Sequence, residues 1–109
     1  MHSDTVMNNP VDHPKIDFSK VDIVSGYLKV LSNPDRLKIL CVLVDGELNV
    51  QQIEVCTEIY QPTLSQQLTV LRKNYIVSTR REGKQIFYRL SDPKILTLMK
   101  TLYNLYCKG

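Results

Sequence analysis

Residues 49–74 read NVQQIEVCTEIYQPTLSQQLTVLRKN, and this stretch decides the fold. Asn49 is followed three positions later by Gln52, which resembles a capping box, in which each side chain bonds the other residue's backbone amide at the start of a helix. The sequence therefore predicts a short helix that begins here. Its predicted inward face comprises Val50, Ile53 and Cys56.

A tight turn at Tyr60-Gln61-Pro62 separates this helix from a second one, because proline suits the first position of a helix. We expect the second helix to run to about Asn74, with three leucines inward, namely Leu64, Leu68 and Leu71. Its outer face is polar. Glutamine pairs with adenine in the major groove, and serine and threonine donate or accept hydrogen bonds there. Two short helices around a tight turn thus predict a helix-turn-helix that reads DNA.

A predicted β-hairpin follows the second helix. Residues 76–82 and 85–90 alternate polar and apolar side chains around Gly83-Lys84. The hairpin carries Arg80, Arg81 and Lys84, and such a wing lies along the phosphate backbone or enters the minor groove. Helix amides near Pro62 and Thr63 also favour a phosphate. The predicted DNA contacts are Gln61, Pro62, Thr63, Ser65, Gln66, Thr69, Arg72, Arg80, Arg81 and Lys84.

The charge distribution is one-sided. Residues 61–109 carry nine Lys and Arg against two acids, a balance of +7, whereas residues 1–60 carry five against nine, a balance of −4. A basic half is what a surface for a polyanion such as DNA requires. Taken alone, the charge also fits a solvated surface, so the helix-turn-helix pattern carries the prediction.

The remaining segments complete a single domain, since 109 residues suffice for one core. We expect a flexible tail over residues 1–16 and a DNA-binding and dimerisation domain over residues 17–109. Ser19 is predicted to cap a first helix, Asn33-Pro34 to begin a buried helix over residues 34–44, and Ser91-Asp92-Pro93 to begin a last helix. The predicted apolar stripe of this last helix is Ile95, Leu98, Met99, Leu102 and Tyr106. The fold class is mainly α with a β-hairpin, a winged helix-turn-helix of about five helices and a two-stranded wing. Without a membrane span or signal peptide in the sequence, a cytoplasmic protein is expected.

Three motifs resemble those of the ArsR/SmtB family of repressors. LSNPDRLKIL at residues 31–40 resembles its second helix, QPTLSQQLTVLR at 61–72 its recognition helix, and REGKQIFYR at 81–89 its wing. The resemblance implies a homodimer joined through the first and last helices and bound to double-stranded operator DNA with dyad symmetry. Gln66 and Gln67 replace a histidine pair common in the family, which leaves the operator sequence open.

Metal sensing, which is common in this family, is not expected here. The positions that match a family Cys-x-Cys metal site are Asn49 and Gln51, and neither is a thiolate. A second family site on the last helix is matched by Asp92 but by no histidine. The only histidines are His2 and His13, in the expected tail. A tetrahedral zinc site needs about four nitrogen or sulfur ligands held together, whereas residues 17–109 offer only three cysteines, which we expect to be well separated. We therefore expect no metal and no cofactor.

Cysteine chemistry is the alternative signal. From the residues alone, Cys41 and Cys56 suit a buried structural role, whereas Cys107 is expected to be accessible, with Lys108 favouring its thiolate. The resemblance extends to the BigR/SqrR/HlyU-like branch, in which two cysteines matching Cys41 and Cys107 form a dithiol sensor of reactive sulfur species. It implies that the reduced dimer binds DNA and that the bridged dimer releases it.

Other functions stay open at this point. Unreactive cysteines, as in a virulence-type regulator, or general peroxide sensing would leave a DNA-binding regulator of another kind. A winged-helix module that binds protein is a second class. An enzyme is the least favoured class, because residues 17–109 contain no histidine and no glycine-rich phosphate loop.

Overall fold

The computed structural model describes residues 15–107, which form five α-helices and three β-strands. In chain order these are α1 (Val21–Leu31), α2 (Pro34–Val42), β1 (Leu48–Asn49), α3 (Val50–Thr57), α4 (Thr63–Lys73), β2 (Val77–Glu82), β3 (Gln85–Leu90) and α5 (Pro93–Leu102). A π-helical turn, Tyr103–Cys107, follows α5. This order confirms the predicted winged helix-turn-helix. Residues 1–14 of the expected tail lie outside the described residues.

Local capping explains where two helices begin. The Asn33 side chain accepts a hydrogen bond from the Arg36 amide at 3.0 Å, and Pro34 occupies the first turn of α2. Asn49 and Gln52 form the reciprocal capping box of α3, with both bonds at 2.8 Å. Each such cap satisfies an amide that the helix itself leaves unpaired. These helix starts confirm the sequence predictions.

Three boundary predictions need correction. Ser19 does not cap α1, because the helix begins only at Val21 and its N-cap residue is Lys20, where no side chain makes a capping hydrogen bond. The central helix ends at Val42, two residues before its predicted end, and continues as turns. Pro62 lies at the N-cap of α4 and not at its first helical residue.

The core is built around α2, where Ile39 and Leu40 are fully buried. Burying a side chain of this size stabilises a fold by about 1.5–3 kcal/mol. Helix α4 adds its three predicted leucines, which are buried as expected. The buried apolar residues are Leu31, Ile39, Leu40, Leu43, Ile53, Ile59, Leu64, Leu68, Leu71, Ile76, Val77, Tyr88, Ile95 and Met99.

The inward face of α3 differs from the prediction. Ile53 and Thr57 are buried, whereas Cys56 is exposed. Because each helical residue turns by about 100°, the residue four positions after Ile53 lies closer to its direction than the residue three positions after it. The Thr57 hydroxyl donates to the Ile53 carbonyl at 2.7 Å and accepts from the Ile59 amide at 3.2 Å, so this buried polar group is satisfied.

The sheet has three strands in the order β1-β3-β2, all antiparallel. The predicted hairpin of β2 and β3 is confirmed, with Glu82 opposite Gln85 beside the turn and Gly83 at φ 63°. The expected two-stranded wing gains β1, which pairs Leu48 with Tyr88. A segment of two residues has too little alternation of polar and apolar side chains to be predicted as a strand from the sequence. It is a strand only because it pairs with β3.

The last helix buries Ile95 and Met99, as predicted, but its apolar stripe ends at Leu102. Tyr106, which was predicted to extend the stripe, is 80% exposed. The wide π-helical turn changes the angular spacing of the residues after Leu102, so Tyr106 no longer continues the inward face. No helix in residues 15–107 is long and apolar enough to span a membrane.

Candidate nucleic-acid interface and thiol cavity

The outer face of α4 carries the polar residues that sequence analysis selected. Gln61 in the preceding turn accepts hydrogen bonds from the Ser65 amide at 3.0 Å and from the Ser65 hydroxyl at 2.6 Å. Thr69 in turn donates to the Ser65 carbonyl at 2.8 Å. Gln61 therefore caps α4 through its oxygen and keeps its amide NH2 as a donor. The exposed residues of this face are Gln61, Pro62, Ser65, Gln66, Thr69 and Arg72, and Thr63 is half-buried.

The two adjacent glutamines of α4 have different roles. Gln66 is exposed, whereas Gln67 is half-buried and accepts a hydrogen bond from Arg36 at 2.9 Å. Arg36 also donates to the Val30 carbonyl at 2.7 Å, so one guanidinium joins α4 to the end of α1. Gln67 therefore positions α4, and Gln66 is the glutamine available to a base edge.

The wing holds Arg80 in a cluster of carboxylates. Arg80 donates through Nε to both oxygens of Glu47, at 2.8 and 2.9 Å, through Nη2 to Glu47, and through Nη1 to Glu82 at 2.6 Å. Its guanidinium lies 4.5 Å from the centre of the Phe87 ring. These hydrogen bonds raise the pKa of Arg80 and hold the pKa of Glu47 below its usual range. Arg80 thus joins the wing to the segment before β1.

Arg81 and Lys84 are placed differently from Arg80. Both are exposed at the tip of the wing. Arg81 donates through Nε to the Gly83 carbonyl at 3.1 Å, which leaves its two terminal nitrogens. No carboxylate lies within salt-bridge distance of Arg81 or Lys84 among residues 15–107. Their charges are therefore available to an anionic partner.

A cleft between the end of α4 and the wing was missed by the sequence analysis. It is lined by Thr69, Arg72, Lys73, Tyr75 and Tyr88, of which only two were selected from the sequence. Tyr75 is 82% exposed and adopts a left-handed backbone at φ 59°. The basic pair before Asn74-Tyr75 was the signal that could have identified this cleft.

The cysteines meet at a second site, a cavity of about 600 Å3 between α2, α3 and the end of α5. We call it the thiol cavity. Cys41 is half-buried, and Cys56 and Cys107 are exposed. The lining residues are Leu37, Lys38, Cys41, Val42, Cys56, Thr57, Met99, Leu102, Tyr106 and Cys107.

Cys41 and Cys107 lie close enough for their thiols to interact. Burial raises the pKa of the Cys41 thiol, and the charge and hydrogen bonding of the neighbouring Cys107 thiol raise it further. The raised pKa keeps Cys41 as a protonated thiol at neutral pH, and Cys107 is the more accessible of the two cysteines. Lys108, expected to favour the Cys107 thiolate, lies outside the described residues.

The structure corrects the expectation that the cysteines are well separated, because Cys56 lies in the wall of the same cavity. Even so, no group of three or more His, Cys, Asp or Glu side chains within residues 15–107 is arranged to hold a metal ion. At the position of the family's metal pair, Asn49 serves as a helix cap and Gln51 is exposed. His2 and His13 lie outside the described residues.

Comparison with known proteins links this chain to transcriptional regulators. The family model for "Bacterial regulatory protein, arsR family" matches residues 33–79. The biofilm growth-associated repressor of Agrobacterium fabrum is 43% identical over 98% of this chain and 95% of its own length. The transcriptional activator HlyU of Vibrio cholerae is 41% identical over 75% of this chain and 76% of its own.

Solved structures show the same fold. The transcriptional repressor BigR from Xylella fastidiosa aligns with a TM-score of 0.76 and 49% identity, covering 83% of this chain and 92% of that one. A homodimeric winged helix-turn-helix domain from Mycobacterium bovis, described as a possible ArsR-family regulator, aligns with a TM-score of 0.70 and 30% identity over 84% and 86% of the two chains.

Proposed function

The chain belongs to the arsR family of bacterial regulatory proteins, and from this premise we propose that it is a repressor whose operator binding is controlled by the Cys41–Cys107 thiol pair. The family assignment makes it a transcriptional regulator and not an enzyme. The proximity of the Cys41 and Cys107 thiols at one cavity is the observation that carries the proposed control.

Double-stranded operator DNA with dyad symmetry is the proposed partner. Gln66, Ser65 and Thr69 offer hydrogen bonds to base edges, and Arg81 and Lys84 bind phosphates beside the groove. Arg72 and Lys73 extend the basic surface along the end of α4. Arg80 was also predicted to contact DNA. Because two carboxylates already bind it, we assign it instead to holding the wing against the segment before β1.

A homodimer joined through α1 and the end of α5 supplies the dyad. Helix α1 exposes apolar residues that its own chain does not cover, and such a patch is typical of an interface. They are Val21, Ile23, Val24 and Leu28, and the end of α5 adds Tyr103 and Leu105. The homodimeric relative with the same fold supports this assembly. Two recognition helices must then lie about 34–36 Å apart, or a multiple of it, to meet successive major grooves.

The proposed inducer is a reactive sulfur species of the form R–S–S–H. The Cys107 thiolate attacks the outer sulfur, the S–S bond breaks, and R–SH leaves with the proton, so that Cys107 becomes a persulfide. A second donor converts Cys41 in the same way. The two persulfides then condense to a Cys41–S–S–S–Cys107 bridge, and the remaining sulfur leaves as H2S. We assign the first attack to Cys107 because it is exposed and Cys41 has the raised pKa.

The bridge links the central helix to the dimer-forming end of α5. It thereby restricts how the two recognition helices are spaced across the dyad, and an allosteric coupling of about 1–3 kcal/mol corresponds to about 5–150-fold in affinity. The proposal requires a reducing compartment such as the cytoplasm, in which free thiols persist until the inducer arrives.

The test measures operator binding by the reduced, the persulfide-treated and the peroxide-treated protein, with the Cys41–Cys107 linkage determined by mass spectrometry in parallel. We expect persulfide treatment to weaken binding, with trisulfide between the two cysteines, and Cys41→Ser and Cys107→Ser variants to keep binding DNA after treatment. Release by both variants would contradict the assignment. Cys56→Ser is the matched control and should respond like the unmodified protein.

General oxidant sensing is the second candidate, because Cys41 and Cys107 line one cavity and two such thiols can also be joined by an ordinary disulfide. In that reaction peroxide oxidises Cys107 to a sulfenic acid with loss of hydroxide, and Cys41 displaces water to form the disulfide. Release of DNA after peroxide treatment, together with an S–S linkage that contains no added sulfur, would favour this candidate.

A further inference from the structure

We propose that the thiol cavity is a binding site for an apolar organic sulfur donor, an alkyl or aryl hydropersulfide, whose carbon group occupies the cavity while its sulfur reacts. The inference rests on the proposed function, because it names the class of inducer. This inference adds one claim to the proposed function: the cavity recognises the carbon group that carries the sulfur, as well as the sulfur atom that reacts.

The size of the cavity is the first argument. Its volume of about 600 Å3 lies within the range of ligand-binding pockets, about 300–1,000 Å3. One or two bridging sulfur atoms, each similar in size to a water molecule of about 30 Å3, would fill only a small part of it. The space beyond the thiols therefore suits a molecule with a substantial carbon group.

The lining of the cavity is the second argument. Its walls are formed mainly by apolar side chains, Leu37 and Val42 of α2 and Met99 and Leu102 of α5. Lys38 is the one charged residue among those that line it, and its cation complements the anionic sulfur of an ionised persulfide. A lining without carboxylates and with a single cation disfavours donors that carry several charges, such as glutathione hydropersulfide.

The third argument is the position of the thiols. Cys41, Cys56 and Cys107 all contribute to the wall, so a donor held in the cavity meets a nucleophile on α2, on α3 or at the end of α5. Cys107 is exposed and takes the outer sulfur of the donor first. The reaction leaves an apolar thiol, R–SH, which has no further bond to the protein and departs through the open side of the cavity.

The kinetic test compares benzyl hydropersulfide with glutathione hydropersulfide. Sulfur transfer to Cys107 is followed by mass spectrometry, and each rate is divided by the rate for the same protein unfolded in urea, which removes the intrinsic reactivity of the donor. We expect the folded protein to favour the benzyl donor by at least about tenfold, the discrimination that an apolar pocket typically gives. Equal normalised rates would overturn the inference.

Two substitutions of the same kind localise the effect. Val42→Phe places extra volume inside the cavity, whereas Val55→Phe places it on the 77% exposed side of α3. We expect Val42→Phe to abolish the preference for the benzyl donor, so that its normalised rate falls to that of the glutathione donor. Val55→Phe should leave the preference unchanged. Because Val42→Phe can disturb α2, Leu102→Phe repeats the test from the opposite wall, and thermal unfolding monitors both.

A binding test separates this inference from the proposed function. Benzyl methyl sulfide cannot transfer sulfur, and its binding to a Cys41→Ser, Cys107→Ser double variant is measured by isothermal titration calorimetry. Saturable binding that Val42→Phe removes would support the cavity even if persulfides fail to release DNA, an outcome that refutes only the proposed function. Absence of binding, with DNA release by inorganic hydropolysulfide intact, would refute only the cavity.

Discussion

Arg80 and Arg81 are neighbours on the wing, yet the structure predicts that only Arg81 binds DNA phosphate. Arg80 is bound by the Glu47 and Glu82 carboxylates, whereas Arg81 donates only to the Gly83 carbonyl. Replacing each by alanine removes the same side chain and the same charge. The pair of variants Arg80→Ala and Arg81→Ala therefore separates a bracing role from a phosphate contact.

The magnitude follows from counterion release. Each phosphate contact contributes about 0.9 to the slope of log K against log salt, so a dimer that loses two contacts through Arg81→Ala loses about 1.8 in slope. If affinity near 1 M salt is unchanged, binding weakens by about 20-fold at about 200 mM salt and by about 200-fold at about 50 mM. Arg80→Ala should leave the slope unchanged.

Fluorescence anisotropy with a labelled operator duplex, repeated across this range of salt, measures both slopes. Glu47→Gln serves as a second control. It weakens the ion pair that holds Arg80, so Arg80 becomes available to phosphate and the slope of log K against log salt should become steeper. The reasoning would be refuted if Arg80→Ala and Arg81→Ala reduced the slope equally, because the carboxylates would then have no bearing on which arginine meets DNA.

Three further outcomes are expected. Asn49→Ala removes the cap of α3 and should lower the free energy of unfolding by about 1 kcal/mol in urea titrations. Gln51→Ala, at an exposed position nearby, is the control and should change the free energy of unfolding by about zero. An equal effect of the two substitutions would count against the capping role. Glu58→Gly should raise the free energy of unfolding by about 1 kcal/mol, because Glu58 closes α3 at φ 58°, a left-handed backbone that disfavours side chains; no gain in thermal stability would argue against strain there. Because the folded pKa of Cys41 is raised, this thiol should react with iodoacetamide more slowly at neutral pH than an unperturbed thiol. Its alkylation rate should also keep rising at pH values where the rate of an unperturbed thiol has levelled off. A pH profile like that of a short cysteine peptide would contradict the raised pKa.

Sequence analysis succeeded where a signal lies within a few residues. The caps at Asn33 and Asn49 each bind an amide three positions later, so the pattern is readable from the chain alone. The leucines of α4 recur over several turns, which makes the inward face unambiguous. These local patterns are enough to predict a winged helix-turn-helix.

The errors concern short elements and long-range contacts. Helix α3 has eight residues, and over two turns Cys56 and Thr57 are nearly equivalent candidates for the inward face. Strand β1 exists only because β3 pairs with it. Arg80 and Glu47 are 33 positions apart, and the three cysteines come from three different helical segments. No local sequence pattern encodes contacts between residues so far apart in the chain. The carboxylate contacts of Arg80 and the cavity shared by the three cysteines are therefore seen only in the folded structure.

The capping box at Asn49 also constrains how this protein can evolve. Asn49 caps α3, pairs with Phe87 in the sheet and donates through its amide to Gln85 at 3.0 Å. It occupies the position that the family resemblance matches to a metal-binding cysteine. A mutation to cysteine there would sacrifice the cap and the bond to the wing before any ion was bound. A cysteine ligand at position 49 would therefore first lower the free energy of unfolding by about 1 kcal/mol, the contribution of the cap.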